Sequence, residues 1–121
     1  MATKAKIGIL GASGYTGGEL ARLLLRHPRV EIVLLTAERS AGKAMREVFP
    51  QFSPFALPPL VTVDSIDWGK TALDVAFCAL PHATTQKVVR ELLRQSPSTK
   101  VVDLSADFRF RSHESILIQK S

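Results

Sequence analysis

The length of the chain, 121 residues, accommodates one compact domain, and its composition excludes several classes of protein. Apolar residues make up 45% of the chain and charged residues 22%, which excludes a disordered protein. No apolar run approaches the roughly 20 residues of a membrane-spanning helix, and the N-terminus has no signal-peptide pattern. The single cysteine, Cys78, indicates a reducing compartment, the cytoplasm. The net charge of +5 suits an anionic partner.

The first third of the chain predicts a strand, a glycine turn, a helix and a second strand. Lys6–Leu10 is a short apolar run with β-branched residues, and Gly11 ends it. A helix is predicted from Thr16, and Pro28 marks its end. Val30–Thr36 is the next β-branched run, so one βαβ unit fits here. The residues at helix spacing that predict the apolar face of this helix are Leu20, Leu23, Leu24 and His27.

The rest of the chain repeats this alternation. The polar and proline-rich stretch 37–60 predicts loops with one helical turn, and Val61–Val63 predicts a short strand. Asp74–Leu80 predicts a further strand, Thr84–Gln95 a helix and Lys100–Leu104 the last strand. Strands that are apolar on both faces, alternating with helices, predict a parallel sheet covered by helices on both sides, a doubly wound α/β fold.

The segment G-A-S-G-Y-T-G between the first strand and the first helix predicts a dinucleotide-binding loop. We expect Gly11 to allow the sharp turn out of the strand, Gly14 to let the backbone approach a diphosphate, and Gly17 to allow close packing. The exposed amides at the helix start favour an anion, and the hydroxyls of Ser13 and Thr16 add donors. A glycine-rich tight turn without a ligand is the alternative interpretation, because such a string alone is a weak signal.

The choice between NAD and NADP depends on the residues after the second strand, which read T-A-E-R-S-A-G-K. Glu38 is suited to the ribose hydroxyl of NAD, whereas Arg39, Ser40 and Lys43 are suited to the 2′-phosphate of NADP. We expect NADP, because the cations outnumber the carboxylate and Glu38 can point to solvent. The alternative for Arg39 and Lys43 is an ordinary solvated loop.

Several strings together resemble one enzyme family. K-I-G-I-L-G-A-S-G-Y-T-G-G-E-L, A-G-K with E-V-F-P, A-L-P-H and V-V-D-L-S-A-D-F-R occur in this order between Lys6 and Arg109 and resemble the N-acetyl-gamma-glutamyl-phosphate reductases, relatives of aspartate-semialdehyde dehydrogenase. The resemblance implies a Rossmann-type NADP-binding domain at residues 1–110, a divergent tail at 111–121 and a second, catalytic domain absent from this chain. It implies NADP-dependent reductive dephosphorylation of N-acetyl-glutamyl 5-phosphate to the semialdehyde, in arginine biosynthesis, through a cysteine thioester.

The resemblance also implies which residues bind the ligands. His82 and Arg109 are expected to bind the substrate, with alternatives of a structural role for His82 and of a salt bridge between Arg109 and Asp107. Arg39 and Ser40 are expected at the adenosine end, and Leu80 and Pro81 beside the nicotinamide half. The residues expected to bind the cofactor are Gly11, Ser13, Gly14, Tyr15, Thr16, Gly17, Arg39, Ser40, Leu80, Pro81, Ser105 and Ala106.

No residue of the chain is expected to be catalytic. Cys78 lies in an apolar run and does not match the cysteine motif of the family, so we expect a buried side chain rather than a nucleophile. That motif and the catalytic histidine of the family would lie beyond residue 121, which predicts a chain that is inactive alone. His27 is expected to interact with the dipole at a helix end, and His113 lies in the tail. A frameshifted reading frame, a fragment and a stand-alone module are three origins that the sequence leaves open.

Other functions are alternatives to this one. A different oxidoreductase, resembling the saccharopine reductases, shares the glycine loop but not D-L-S-A-D-F-R. A non-catalytic nucleotide-binding or regulatory module would pair with a separate catalytic polypeptide. A nucleic acid is not expected as a partner, because the cations form no basic stripe with exposed aromatic residues. The expected partners are an acyl-phosphate substrate, bound with the second domain, and further copies of the full-length chain; no metal and no membrane are expected.

Overall fold

The computed structural model of the chain describes residues 4–104, which form one five-stranded parallel sheet flanked by helices. The strand order is β3-β2-β1-β4-β5, so the chain moves outward from β1 in one direction and then, from β4, in the other. In chain order the elements are β1 (Ala5–Leu10), α1 (Tyr15–Leu24), β2 (Val30–Thr36), α2 (Met45–Val48), a 3₁₀ turn (Pro50–Phe52), β3 (Leu60–Val61), a 3₁₀ turn (Val63–Ser65), α3 (Trp68–Thr71), β4 (Val75–Cys78), α4 (His82–Gln95) and β5 (Lys100–Asp103).

Two apolar cores, one on each face of the sheet, hold the helices to the strands. In the first core, Ala21 of α1 packs with Ile9 of β1 and Leu35 of β2. In the second core, Leu92 of α4 and Trp68 of α3 pack with strand residues that point to the opposite face. Because side chains alternate along a strand, the three central strands β1, β2 and β4 supply residues to both cores. The doubly wound α/β fold expected from the sequence is therefore confirmed.

One irregularity in β2 changes which face its last residues point to. Ile7 pairs with Ile32, but the next residue of β1, Gly8, pairs with Leu34, so β2 carries one extra residue between the pairs. Ile32 and Leu35 consequently share the first core although they are three residues apart. By the same alternation, the side chain of Thr36 turns away from that core. The bulge thus sets the orientation of the end of β2.

The apolar face predicted for α1 is only partly correct. The buried residues of α1 are Gly17, Gly18 and Ala21, whereas Leu23 is 53% exposed. A Cβ on Gly18 would lie 2.8 Å from the ring of Phe49, so small residues let this helix approach closely and large ones remain at its flanks. His27 lies beyond the end of α1, where its ring Nδ1 accepts a hydrogen bond from the amide of Arg29 at 3.1 Å, and its interaction with the helix dipole stays a prediction.

Several element boundaries differ from the predicted ones. Beside β2 the short strand ends at Val61 rather than Val63, because a 3₁₀ turn begins at Val63. β4 is shorter than predicted, and α4 begins two residues earlier, at His82, directly after Pro81. The sequence did not predict α3, whose N-terminus is capped by Asp67: the amide of Gly69 donates to its carboxylate at 3.1 Å. Within residues 4–104, no helix is long and apolar enough to cross a membrane.

Candidate functional site

The glycine loop lies at the carboxyl edge of the sheet, where the chain changes its direction of winding. Gly11 follows β1 directly, and the carbonyl of Leu10 accepts the amide of Ala79, which follows β4, at 2.8 Å. On the other side of β1, the carbonyl of Thr36 accepts the amide of Ala12 at 2.8 Å. Ends of three neighbouring strands therefore meet around the loop. Ligands of open α/β sheets bind at this kind of position.

The three glycines of the loop have different structural roles. Gly11 has a φ of 86°, and a Cβ there would lie 2.6 Å from the carbonyl oxygen of Ala79. A Cβ on Gly17 would lie 2.3 Å from the carbonyl oxygen of Gly11, so helix and loop touch at this point. Gly14 is exposed, and the nearest heavy atom to its Cβ position is 3.6 Å away. Gly11 and Gly17 are thus required by the packing of the loop, whereas Gly14 is exposed and has room for a Cβ.

The backbone around Gly14 offers several free donors. Among residues 4–104, none accepts a hydrogen bond from the amides of Ser13, Tyr15, Thr16 or Gly17, while the amide of Gly14 makes a long bond of 3.3 Å to Gly11. The first turn of α1 contains no acidic residue that would occupy these donors. Free amides at the positive end of a helix dipole, beside a position with no Cβ, fit the diphosphate of a dinucleotide.

A cleft of about 840 Å³ continues the site across the second face of the sheet. Leu80 and Pro81, expected near the cofactor, and Glu38 line it. Its walls are formed by the ends of β2 and β4, by the segment around α3 and by one flank of α4. The other residues that line the cleft are Val63, Asp64, Ile66, Trp68, Thr84, Lys87, Val88, Arg90, Glu91 and Gln95.

Charged side chains of both signs line this cleft, and besides those of α4 they include Asp64 and Glu38. On α4, Lys87 and Arg90 are exposed cations that were not among the site residues expected from the sequence. Their spacing of three residues places both on one flank of the helix, which was the available signal. Hydrogen bonds from Arg94 and Gln95 lower the pKa of Glu91, so this carboxylate is charged and already paired with Arg94.

The loop after β2 meets the cleft at Glu38. This side chain is exposed and lines the cleft, so the carboxylate is available to a ligand as well as to solvent. Arg39 and Lys43 are exposed, and the carbonyl of Ser40 accepts the amide of Lys43 at 3.1 Å in a tight turn. Within residues 4–104, the cleft wall does not include Arg39, Ser40 or Lys43, so their contact with a cofactor stays a prediction.

The remaining predicted site residues are not all brought to this cleft. Within residues 4–104, the cleft wall does not include His82, which is exposed at the start of α4. Tyr15 and Thr16 line a second cleft, of about 690 Å³, which also contacts Phe77 and Leu104. The residues expected to continue the site that lie outside the described part of the chain are Ser105, Ala106 and Arg109, together with Asp107 and His113.

Cys78 is fully buried in the second core, as expected from the sequence. Burial, with a smaller contribution from Asp103, raises the pKa of its thiol to about 12. A thiol that is protonated and inaccessible at neutral pH is not a nucleophile. Among the described residues there is also no cluster of three or more histidine, cysteine or carboxylate side chains that could hold a metal.

Comparison with known proteins agrees with this geometry. The chain is 70% identical, over 92% of its length, to the N-acetyl-gamma-glutamyl-phosphate reductase of Afipia carboxidovorans, and 50% identical, over 88%, to a probable chloroplastic one of Arabidopsis thaliana. It spans 32% and 25% of those proteins. The aspartate semialdehyde dehydrogenase of Candida albicans, solved with NADP, superimposes with a TM-score of 0.69 at 25% identity, covering 90% of this chain and 32% of that one.

A family description covers almost the whole chain as well. The family described as "Semialdehyde dehydrogenase, NAD binding domain" matches residues 6–120, which include both the glycine loop and the strands around it. Fold, position of the loop and sequence identity thus point to the same group of oxidoreductases. The chain belongs to the semialdehyde dehydrogenase NAD-binding domain family.

Proposed function

We propose that this chain is the NADP-binding part of an N-acetyl-gamma-glutamyl-phosphate reductase. The observation that carries the proposal is the loop at Ser13–Gly17, where four amides without partners among the described residues surround an exposed glycine, Gly14. The identity of 70% to a reductase of that name supports the choice among oxidoreductases. The whole enzyme reduces and dephosphorylates N-acetyl-glutamyl 5-phosphate to the semialdehyde, a step of arginine biosynthesis.

In this proposal the residues of the chain bind and orient the dinucleotide. The amides of the first turn of α1 bind its diphosphate, and Ser13 and Thr16 add hydroxyl donors. Leu80 and Pro81 form an apolar surface near the carboxyl end of β4, which supports binding of a ring there. The bound nicotinamide supplies hydride for the reduction. His82, Ser105, Ala106 and Arg109 complete the cofactor and substrate contacts.

We propose NADP rather than NAD as the cofactor because the loop after β2 carries two exposed cations, Arg39 and Lys43, beside one carboxylate, Glu38. The cleft itself is lined by charges of both signs, by Lys87 and Arg90 and by the carboxylates of Glu38, Asp64 and Glu91. A guanidinium offers paired donors to a phosphate, whereas Glu38 alone would favour a ribose hydroxyl. The NADP in the structure of the Candida albicans enzyme supports the same choice.

The partners and the compartment follow from the same assignment. An acyl phosphate would be the small-molecule substrate, and the full-length enzyme would assemble from several copies. A reducing compartment suits the single thiol, Cys78. The cytoplasm is such a compartment.

Isothermal titration of the 121-residue chain with NADPH and with NADH tests the proposal. We expect binding of both, with a smaller Kd for NADPH. Absence of heat with either nucleotide would contradict the assignment as a dinucleotide-binding domain. A smaller Kd for NADH than for NADPH would be consistent with a dinucleotide-binding domain but would contradict NADP as its cofactor.

A second measurement tests the catalytic part of the assignment. The only thiol of the chain is the buried Cys78, so the chain should not oxidise NADPH in the presence of an acyl phosphate. Turnover that depends on the acyl phosphate would contradict the expectation that the chain needs a further domain for the reaction.

A further inference from the structure

One buried polar side chain holds the start of the glycine loop. Thr36, the last residue of β2, is fully buried. Its Oγ1 accepts the amide of Gly11 at 2.9 Å, and its carbonyl accepts the amide of Ala12 at 2.8 Å. Two consecutive amides of the loop therefore depend on a single residue of the neighbouring strand.

The bulge in β2 is what turns this hydroxyl toward the loop. Without the extra residue opposite Ile7 and Gly8, alternation would place Thr36 on the same side as Ile32, in the first core. In that core the hydroxyl would be buried among apolar groups without a hydrogen bond, which costs free energy. The bulge and the threonine thus act together.

The bond to Thr36 sets the orientation of the peptide that supports α1. Gly11 has a positive φ, its carbonyl accepts the amide of Gly14 at 3.3 Å, and it lies against Gly17. A rotation at Gly11 therefore moves both Gly14 and the first turn of the helix. These are the groups that carry the free amides.

We propose that Thr36 is a positioning residue for dinucleotide binding. It does not touch the ligand; it fixes Gly11 so that the amides between Ser13 and Gly17 converge on one diphosphate. This inference rests on the proposed function, since it assumes that the loop binds a dinucleotide. Affinity for NADPH should depend on the Thr36 hydroxyl far more than on an equally buried hydroxyl elsewhere.

Two pairs of variants isolate the hydroxyl. The first pair is the unchanged chain and Thr36→Val, and the second pair is Thr36→Ser and Thr36→Ala. In each pair the two proteins differ by the hydroxyl group with little other change. Thr99→Val is the matched control, because Thr99 is also buried and its Oγ1 donates to the carbonyl of Leu73 at 2.8 Å, at the opposite edge of the sheet. Should the valine variant not fold, the serine and alanine pair carries the test.

Calorimetric titration with NADPH is the first readout. Loss of the hydroxyl should raise Kd about ten-fold within each Thr36 pair, the effect of about one lost hydrogen bond. Thr99→Val should lower Tm and leave Kd within about two-fold of the unchanged chain. The inference would be overturned if the two members of each Thr36 pair bound NADPH with equal Kd. It would also be overturned if Thr99→Val raised the Kd as much as loss of the Thr36 hydroxyl does. If the unchanged chain binds no NADPH, the proposed function falls and this inference with it.

Amide hydrogen exchange provides a readout that does not depend on the ligand. Loss of the hydroxyl should increase the exchange rate at Gly11 about ten-fold, and Thr99→Val should not change that rate. An unchanged rate at Gly11 in the Thr36 variants would overturn the inference even if their affinity fell. Failure of the inference is thus distinguishable from failure of the proposed function.

Discussion

At the scale of single residues, a substitution at Gly14 should affect dinucleotide binding much more than folding stability. The nearest atom to a Cβ at this position is 3.6 Å away, and the φ of Gly14 is −85°, so Gly14→Ala fits the folded chain. We expect a loss of unfolding free energy of no more than about 1 kcal/mol, the cost of a poorer helix cap. NADPH affinity should fall at least about ten-fold, because the methyl group occupies the space of the diphosphate. Thermal denaturation and calorimetry measure the two effects.

Gly17→Ala is the contrasting variant. Its Cβ would lie 2.3 Å from the carbonyl oxygen of Gly11 and 2.8 Å from the Cα of Ala12, both backbone atoms. We expect a loss of about 1–3 kcal/mol or more in unfolding free energy, as for other overpacked sites. If Gly14→Ala destabilised the chain as much as Gly17→Ala does, the interpretation of Gly14 as a ligand-facing position would be wrong.

The buried thiol of Cys78 predicts a pH dependence of stability. In the unfolded chain the thiol ionises above a pKa of about 8.5, whereas burial keeps it protonated to about 12 in the folded chain. The unfolded state loses this proton first as pH rises. The free energy of unfolding should therefore fall between these two values, by at most about 1.4 kcal/mol per pH unit.

Cys78→Ala isolates this effect from other titrating groups. Urea denaturation of both chains at pH 7 and pH 10 should show a smaller loss of stability at pH 10 for the alanine variant. The alanine substitution also leaves a small cavity, whose cost is the same at both pH values. An identical loss in the two chains would show that Cys78 ionises as an exposed thiol does.

At the scale of elements, the two long helices differ in how faithfully spacing predicts burial. In α4, Val88 and Leu92 lie four residues apart, at helix spacing, and both are buried. In α1 the same rule selected Leu23, which is 53% exposed, because Gly17, Gly18 and Ala21 form the contact instead. Hydrophobic spacing detects large side chains, whereas a close helix contact requires small ones.

Alanine substitutions in these helices should reflect this difference. Leu92→Ala removes a fully buried side chain and should lower the free energy of unfolding by about 2–5 kcal/mol. Leu23→Ala should change it by no more than about 0.5 kcal/mol, as surface substitutions do. Denaturant titration of both variants measures the contrast. Comparable losses would mean that Leu23 packs in a way that its exposure does not indicate.

At the scale of the whole molecule, the location of charge matters more than the net charge of +5. Arg39→Gln and Arg29→Gln each lower the net charge from +5 to +4, but Arg39 lies on the loop after β2, at the carboxyl edge of the sheet, and Arg29 precedes β2. We expect Arg39→Gln to reduce the preference for NADPH over NADH about ten-fold, the value of a charged hydrogen bond. Arg29→Gln should leave it unchanged.

Titration of both variants with both nucleotides gives this ratio directly. The NADH affinity of Arg39→Gln serves as an internal control, because NADH lacks the 2′-phosphate. A similar loss of preference in both variants would assign the effect to the general field of a basic protein. Loss of affinity for both nucleotides in Arg39→Gln would place Arg39 against a group that they share.

The candidate site was only partly predictable from the sequence. The glycine loop was identified because its spacing relative to the strand before it and the helix after it carries a known geometry. Arg39 and Ser40 stay predictions, since the cleft wall within residues 4–104 does not include them. The sequence did not indicate three residues of the site, Thr36, Lys87 and Trp68. Each comes close to the other site residues only through tertiary structure. The end of β2 offered one signal, because Thr36 is a polar residue that directly follows the apolar residues 32–35.

The sequence by itself determined the α/β class, the strand–loop–helix order around Gly11 and the burial of Cys78. These depend on local hydrophobic spacing and on glycines at fixed intervals, which need no partner elsewhere in the chain. Only the tertiary structure decided the strand order, the bulge opposite Gly8 and the bond between Thr36 and the loop. The bulge and the bond depend on register between β1 and β2, whose paired residues lie about 25 positions apart, and the strand order also depends on the pairing of β1 with the more distant β4. Register is set when both faces of the sheet are packed.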